Sequence, residues 1–215
     1  MSSSYLKLVQ PVRQEILDDP RDFDAQRLLQ GLRAGSAWAE RELLERFTRR
    51  VQTVLVRILG TNDAVEDMTQ VVFARALDRI GAVHDPEGLD AWLTQFAVNV
   101  AREEIRTRKR KRWLLFFAPQ SLPDGESAEF SVDEDIDTVR AVESVYELLD
   151  EMSADHRIAF ALRNIECLPL PAIARVCRVS LATIKRRLSH AEDTFSARAR
   201  NHPVLREWME GERWS

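Results

Sequence analysis

Cysteine occurs only twice in this chain, at Cys167 and Cys177, and the four histidines (His84, His156, His190, His202) are scattered without metal-ligand spacing. This scarcity excludes a disulfide framework and argues against a zinc site. Both thiols are expected to be small apolar packing residues in a reducing compartment. Long apolar runs are missing too: residues 1–10 show no charged segment followed by an apolar one, and residues 113–118 are too few to cross a bilayer. The chain therefore reads as cytoplasmic, without membrane contact. Glycine makes up only 7 of 215 residues, no segment alternates for long at strand period, and Ala, Leu, Arg and Glu are plentiful, which points to an all-α fold. Paired carboxylates, a Ser/His/Asp set, a glycine-rich phosphate loop and an HExxH pattern are all lacking. No catalytic residue, cofactor or metal is indicated.

What is present is sorted charge. Between residues 121 and 151, eleven acids face only Arg140, a net of −10 within an overall −4, so the rest of the chain sums to +6. Cations gather at residues 102–112 and at Lys185, Arg186 and Arg187. Basic surfaces of this kind neutralise phosphates and release counterions, giving salt-sensitive affinity for nucleic acid. An acidic spacer between two such surfaces is expected to repel a duplex and hold the lobes apart.

Apolar spacing organises the chain into two small helical domains. In the first, Leu28, Leu29, Leu32, Leu43, Leu44, Phe47, Val51, Val54, Leu55 and Ile58 recur at helical period, with a break near Gly31, Gly35 and Ser36. Gly60 stops this pattern, and Asn62 or Asp63 is placed to cap the next helix. That helix turns Val65, Met68, Val72, Ala76 and Ile80 inward and Glu66, Asp67 and Gln70 outward. After a polar loop at residues 81–88, a long helix buries Trp92, Leu93, Phe96, Ala97, Val100 and Ile105 and ends in the basic run. Cations at a helix C-terminus complement its dipole, but that accounts for one or two of the six in Arg106, Arg108, Lys109, Arg110, Lys111 and Arg112. Trp92 and Phe96 have the spacing of core residues, with base stacking as the alternative.

The expected boundaries are an extension at 1–23, a first domain at 24–113, an acidic linker at 114–138, a second domain at 139–200 and a tail at 201–215. The linker has too little apolar content to pack, except for Trp113, Leu114, Leu115, Phe116 and Phe117, which fold back on the first domain or meet a partner. In the second domain, Val139, Val142, Val145, Leu148, Leu149 and Met152 share a face, and Ser153 is placed to cap the following helix. Residues 170–177, a turn at Arg178, Val179 and Ser180, and residues from 181 to about 198 then read as a helix-turn-helix. Pro171 suits the first turn of the short helix and Ser180 the N-cap of the long one. This leaves Ser180, Ala182, Thr183, Lys185, Arg186, Arg187 and His190 around the end that enters a major groove in this motif.

These residues resemble the extracytoplasmic-function sigma factors, small bacterial initiation factors that retain two of the sigma regions. Val65-Glu66-Asp67-Met68-Thr69-Gln70-Val71-Val72-Phe73 is similar to the D-A-E-D-hydrophobic-x-Q-E-x-F segment of region 2, and Trp92, Leu93, Ala97, Asn99, Glu103 and Arg106 to the stretch that follows it. Ile173-Ala174 and Ser180-Leu181-Ala182-Thr183-Ile184-Lys185-Arg186-Arg187-Leu188 stand where region 4 has E-I-A and S-x-G-T-V-K-S-R-L. The resemblance implies that core RNA polymerase is the partner, through its β′ clamp helices and β flap, with Glu66, Asp67, Gln70 and Phe73 on the clamp. It implies that His84, Asp85, Trp92, Asn99, Arg102, Arg106, Arg108 and Lys109 hold the melted minus-ten element of promoter DNA. Ser180, Ala182, Thr183, Lys185, Arg186, Arg187 and His190 would then read the minus-thirty-five duplex. An anti-sigma factor is a further partner that the resemblance leaves open.

The chain departs from the family pattern in three places. Val71 replaces an acid, Arg178 stands where a turn glycine is common, and Pro169 and Pro171 replace polar residues. The residues taken alone also allow a stand-alone helix-turn-helix regulator or a non-catalytic helical adaptor.

Overall fold

A computed structural model describes residues 24–60, 64–117 and 136–211. Among the described residues nine α-helices run in order: α1 (Ala25–Arg33), α2 (Ala37–Leu59), α3 (Val65–Leu77), α4 (Leu89–Phe117), α5 (Ile136–Glu151), α6 (Ala154–Phe160), α7 (Leu170–Cys177), α8 (Leu181–Ala199) and α9 (Pro203–Gly211). Short 3₁₀ turns at Ile80–Ala82 and Pro86–Gly88 lead into α4, and a π-helical turn at Ala161–Ile165 extends α6. Among the described residues there is no strand.

The N-terminal lobe, α1 to α4, follows the apolar pattern closely. Asp24 caps α1 by accepting the Arg27 N–H at 2.9 Å, and the break before α2 falls at Gly35, whose φ of 66° few other residues adopt without strain. Gly31 lies inside α1 instead of breaking it: a Cβ there would sit 2.7 Å from that of Ala39, so its smallness lets the two helices approach. Leu44, expected in the core, is exposed. Ala64 stands at the α3 N-cap position without a side-chain bond, and the expected caps Asn62 and Asp63 lie outside the described residues. The linker boundary also moves, because α4 continues to Phe117 and leaves Trp113 and Leu114 exposed.

In the C-terminal lobe, Ser153 accepts the His156 N–H and caps α6 as expected. Ile173, Ala174, Cys177, Ile184 and Leu188 close the small core between α7 and α8. The tail is partly built in: α9 packs against α5 and buries Leu205 completely.

The two lobes do not stand apart, contrary to the expectation drawn from the acidic spacer, most of which (118–135) lies outside the described residues. They share one continuous apolar core. Helix α4 packs on α2 and α3 within its own lobe and also on α6 and α7. Hence Ala97, Val98, Val100 and Ala101 are all buried, a face covering nearly half of the helix, while Asn99 and Glu103 on the opposite side stay exposed.

Helix ends lock the arrangement. The last carbonyls of an α-helix have no partner within it, and here the other lobe supplies several. The Tyr146 hydroxyl donates to the Arg57 carbonyl at 3.2 Å, and Arg157 Nε donates to the Ile58 carbonyl at 2.6 Å, both at the end of α2. In return, Lys109 of α4 donates to the carbonyls of Glu151 and Met152 at the end of α5. Gly60 completes the junction: at φ 78° it ends α2, and a Cβ there would press on the Tyr146 ring at 3.2 Å.

Candidate nucleic-acid interface

The helix-turn-helix forms as its residues dictate. Pro171 sits in the first turn of α7, and the Ser180 side chain accepts the Thr183 N–H at 3.2 Å to start α8. Between them Arg178 adopts the left-handed conformation, φ 56° and ψ 45°, where the family pattern has glycine. Its own N–H bonds back to the Arg175 carbonyl at 3.1 Å, and the Val179 N–H bonds to that of Ala174, so the turn closes at a conformational cost of about 1 kcal/mol for the non-glycine residue.

The cations of α8 then divide. Ser180, Ala182, Lys185, Arg186 and His190 are exposed, Thr183 is half-covered, and Arg187 is held by Asp155 of α6 at 3.1 Å. His190 also meets His156 edge-on, with ring centroids 4.3 Å apart. Burial, then the neighbouring His190 and Arg187, push the His156 imidazole below its ordinary pKa, with Asp155 opposing.

On the N-terminal lobe most of the expected DNA contacts already have protein partners. Arg102 bonds Asp155 at 3.1 Å and Asn99 at 2.7 Å, and Arg108 bonds Glu104 at 2.8 Å. Lys109 holds the carbonyls at the α5 end; burial, then repulsion from Arg112 and Arg157, lower its pKa. Arg106 is exposed and has no ion pair among the described residues. His84 is exposed, and the Asp85 carboxylate accepts the Glu87 N–H at 3.1 Å, stiffening the loop before α4. Trp92 and Phe96 are half-buried against the core, 4.7 Å apart and edge-to-face.

Glu66, Asp67 and Gln70 form an exposed acidic strip on α3, with Val71 exposed beside them. Phe73, expected on that strip, is instead 3% exposed and belongs to the core. It stands one turn from Thr69 on one side and from Ala76 on the other, both buried, and shares their inward face.

Two charged residues of the lobe interface carried no recognisable sequence signal. Glu166, directly after the π-helical turn, is buried and pairs with both Arg50 and Arg57 of α2. Arg157 is 2% exposed and pairs with Asp150. Burial is the strongest single influence on Arg50 and opposes its charge, but attraction to Glu166 and Asp90 together with their hydrogen bonds outweighs it and the pKa is raised; at Arg157 burial wins and the pKa falls. Among the described residues no group of His, Cys, Asp and Glu is arranged to hold a metal, and no helix is long and apolar enough to cross a membrane.

Two helical bundles in series, the second carrying a helix-turn-helix with a basic leading end, define a DNA-binding transcription protein. Comparison with known proteins makes this specific. Residues 43–111 match Sigma-70 region 2 and residues 143–194 match Sigma-70 region 4, together more than half of the chain. The chain is 23% identical over 193 residues to the RNA polymerase sigma-H factor of Pseudomonas aeruginosa, covering 85% of this chain and 96% of that one. With the sigma factor SigC of Mycobacterium tuberculosis it shares 26% over 160 residues, 73% of this chain and 83% of the relative. Its fold matches that of CnrH, solved in complex with the cytosolic domain of CnrY, with a TM-score of 0.54, 20% identity and coverage of 81% and 96%. It also matches the sigma factor RpoE solved with the anti-sigma factor NepR from Bartonella quintana, with a TM-score of 0.52, 21% identity and coverage of 73% and 93%. The chain belongs to the extracytoplasmic-function sigma factors, the RNA polymerase subunits that direct transcription initiation.

Proposed function

We propose that the N-terminal lobe captures the melted minus-ten strand while α8 reads the minus-thirty-five duplex, once core polymerase holds both lobes. The observation that carries this reading is the ordered pair of regions, with Lys185 and Arg186 exposed at the leading end of a correctly capped α8. Every base pair presents a distinct hydrogen-bond pattern in the major groove, and lysine and arginine suit guanine edges. The acidic strip of Glu66, Asp67 and Gln70 is the surface for the β′ clamp helices, and the C-terminal lobe meets the β flap.

At the minus-ten element, the loop of His84 and Asp85 and the neighbouring Trp92 receive an extruded base, while Arg106 and its neighbours on α4 hold phosphates. Extrusion costs a few kcal/mol, offset by binding the flipped base. The protein contributes no hydrolytic step and acts where the polymerase acts, in the cytoplasm. Because the RpoE structure was solved with an anti-sigma factor, an anti-sigma factor is proposed here as well.

Run-off transcription with purified core polymerase on a pool of random promoters tests the reading. Transcripts from a defined subset are expected. Failure to start any transcript on any template overturns it, and tight specific operator binding without polymerase favours a stand-alone regulator.

A further inference from the structure

The face that leads α8 into a major groove does not end at its cations. His190 follows Arg186 by four positions and Arg187 by three, so it stands one turn further along the same face, and it is exposed. There it meets His156 from the first turn of α6, with ring centroids 4.3 Å apart and planes inclined at 61°. Both histidines belong to the C-terminal lobe, and His156 lies outside every motif read from the sequence.

The pair is open for a proton and for an anion. The Thr194 hydroxyl has a single hydrogen, which it donates to the His190 carbonyl at 2.8 Å. Its oxygen therefore accepts from His190 Nδ1 at 3.2 Å, which leaves Nε2 of the neutral ring with a lone pair. Neither ring nitrogen of His156 has a hydrogen-bond partner among the described residues. The adjoining carboxylate, Asp155, is already committed, with one oxygen on Arg102 of α4 and the other on Arg187 of α8. The Cys177 thiol of α7, pushed up by burial, lies by the same cluster and adds no charge. Arg163, in the π-helical turn after α6, is turned onto the Leu168 carbonyl at 3.1 Å. On α8, Arg186 and the exposed Asp193 stand one turn to either side of His190 and offset each other.

Two charged rings at this spacing repel, and the neighbouring arginines add to that repulsion. Burial, then His190 and Arg187, hold the His156 imidazole below its ordinary pKa. An anion brought to the pair reverses the balance, because protonated rings donate charge-assisted hydrogen bonds to it. The anion that a helix lying in a major groove meets along its flank is a backbone phosphate.

We propose that His156 and His190 together grip a backbone phosphate beside the minus-thirty-five duplex and take up a proton as they do so, which makes binding of the upstream element tighter at lower pH. His156 is thereby a further DNA contact, one that fixes register and reads no base. The inference rests on α8 reading that duplex. Since the bound state holds more protons than the free one, affinity rises as pH falls through the interval between the free and bound pKa values and is level above it. A rise of half to one pKa unit at one imidazole corresponds to about three- to tenfold in affinity.

The test uses holoenzyme assembled with the full chain, on a promoter recovered from the random pool and on the same promoter with its upstream element scrambled. Dissociation constants are measured at fixed ionic strength from pH 8 to pH 6 for the unaltered chain, His156→Gln, His190→Gln and the double variant. Circular dichroism and thermal melting at pH 8 establish that each folds, and His190→Gln, at the exposed position, serves if His156→Gln does not. The unaltered chain is expected to gain about three- to tenfold on the intact promoter relative to the double variant. Each single variant is expected to lose most of that gain, since the remaining ring no longer has a charged neighbour to be relieved of. A methylphosphonate scanned along the flank of the upstream element should abolish the gain at one position. An equal gain with and without His156 overturns the inference, as does a gain that survives neutralisation of every flanking phosphate. If scrambling the upstream element changes affinity at no pH, the promoter reading falls instead, and the scrambled template tells the two failures apart.

Discussion

The chain has two basic helix segments, and they differ in how much of their charge is free. On α4, Arg102, Arg108 and Lys109 are engaged by Asp155 and Asn99, by Glu104, and by the end of α5. On α8, Lys185 and Arg186 are exposed and only Arg187 is held. In the sequence the α4 run is the richer in cations; in the folded chain Arg102, Arg108 and Lys109 are engaged while Arg106, Arg110, Lys111 and Arg112 stay exposed. A local count of charge reports how much attraction a segment can supply. Which of it is available depends on what packs alongside.

The contrast can be broken hardest at the lobe interface. Replacing Arg157 with Met removes the donor to the Ile58 carbonyl and the partner of Asp150 from an almost fully buried position, and is expected to cost about 3 kcal/mol of unfolding free energy in urea titrations. At the DNA surface, Arg186→Ala should weaken discrimination of the upstream element by about 1–3 kcal/mol in holoenzyme binding assays, as for loss of a bidentate base contact. Arg187→Ala should cost clearly less, because that side chain is already engaged by Asp155. Equal losses at the two positions would erase the distinction between free and held cations.

Two smaller effects sharpen the comparison. Arg106→Ala is expected to weaken promoter binding to a similar degree across sequences and to reduce the salt slope of holoenzyme binding by about 1, the signature of one lost phosphate contact. A sequence-selective loss would make Arg106 a base reader. The smallest effect concerns pH. The folded-state pKa of His156 is depressed from 6.5, so the unfolded chain binds more protons between the folded and unfolded values, and stability falls as pH drops through that window. His156→Gln should flatten this part of the stability profile in thermal melts from pH 7 to 5.

Legibility in the sequence followed the range of the interactions. The helix-turn-helix was readable because its determinants are local: Pro171 in the first turn, Ser180 as cap and the apolar positions from Ile173 to Leu188 lie within one short stretch. The outward strip of Glu66, Asp67 and Gln70 was readable from period alone. Phe73 was misplaced because a motif lists residues without saying which of them serve the polymerase and which the core. The lobe packing was not readable at all. Glu166 meets Arg50 and Arg57 from more than a hundred positions away, and no spacing rule links them. Charge patterning pointed the other way, since it weighed the acidic spacer and had no knowledge of Val98 and Ala101, the buried second face of α4.

The swapped helix-end bonds bear on what would happen if the backbone were severed between α4 and α5. Each piece alone would carry unsealed termini, the final turn of α2 in one and that of α5 in the other, with bare apolar surface along α4. Such pieces have reason to find each other again, so the nicked polypeptide should elute as a single reassociated species and come apart only under denaturant.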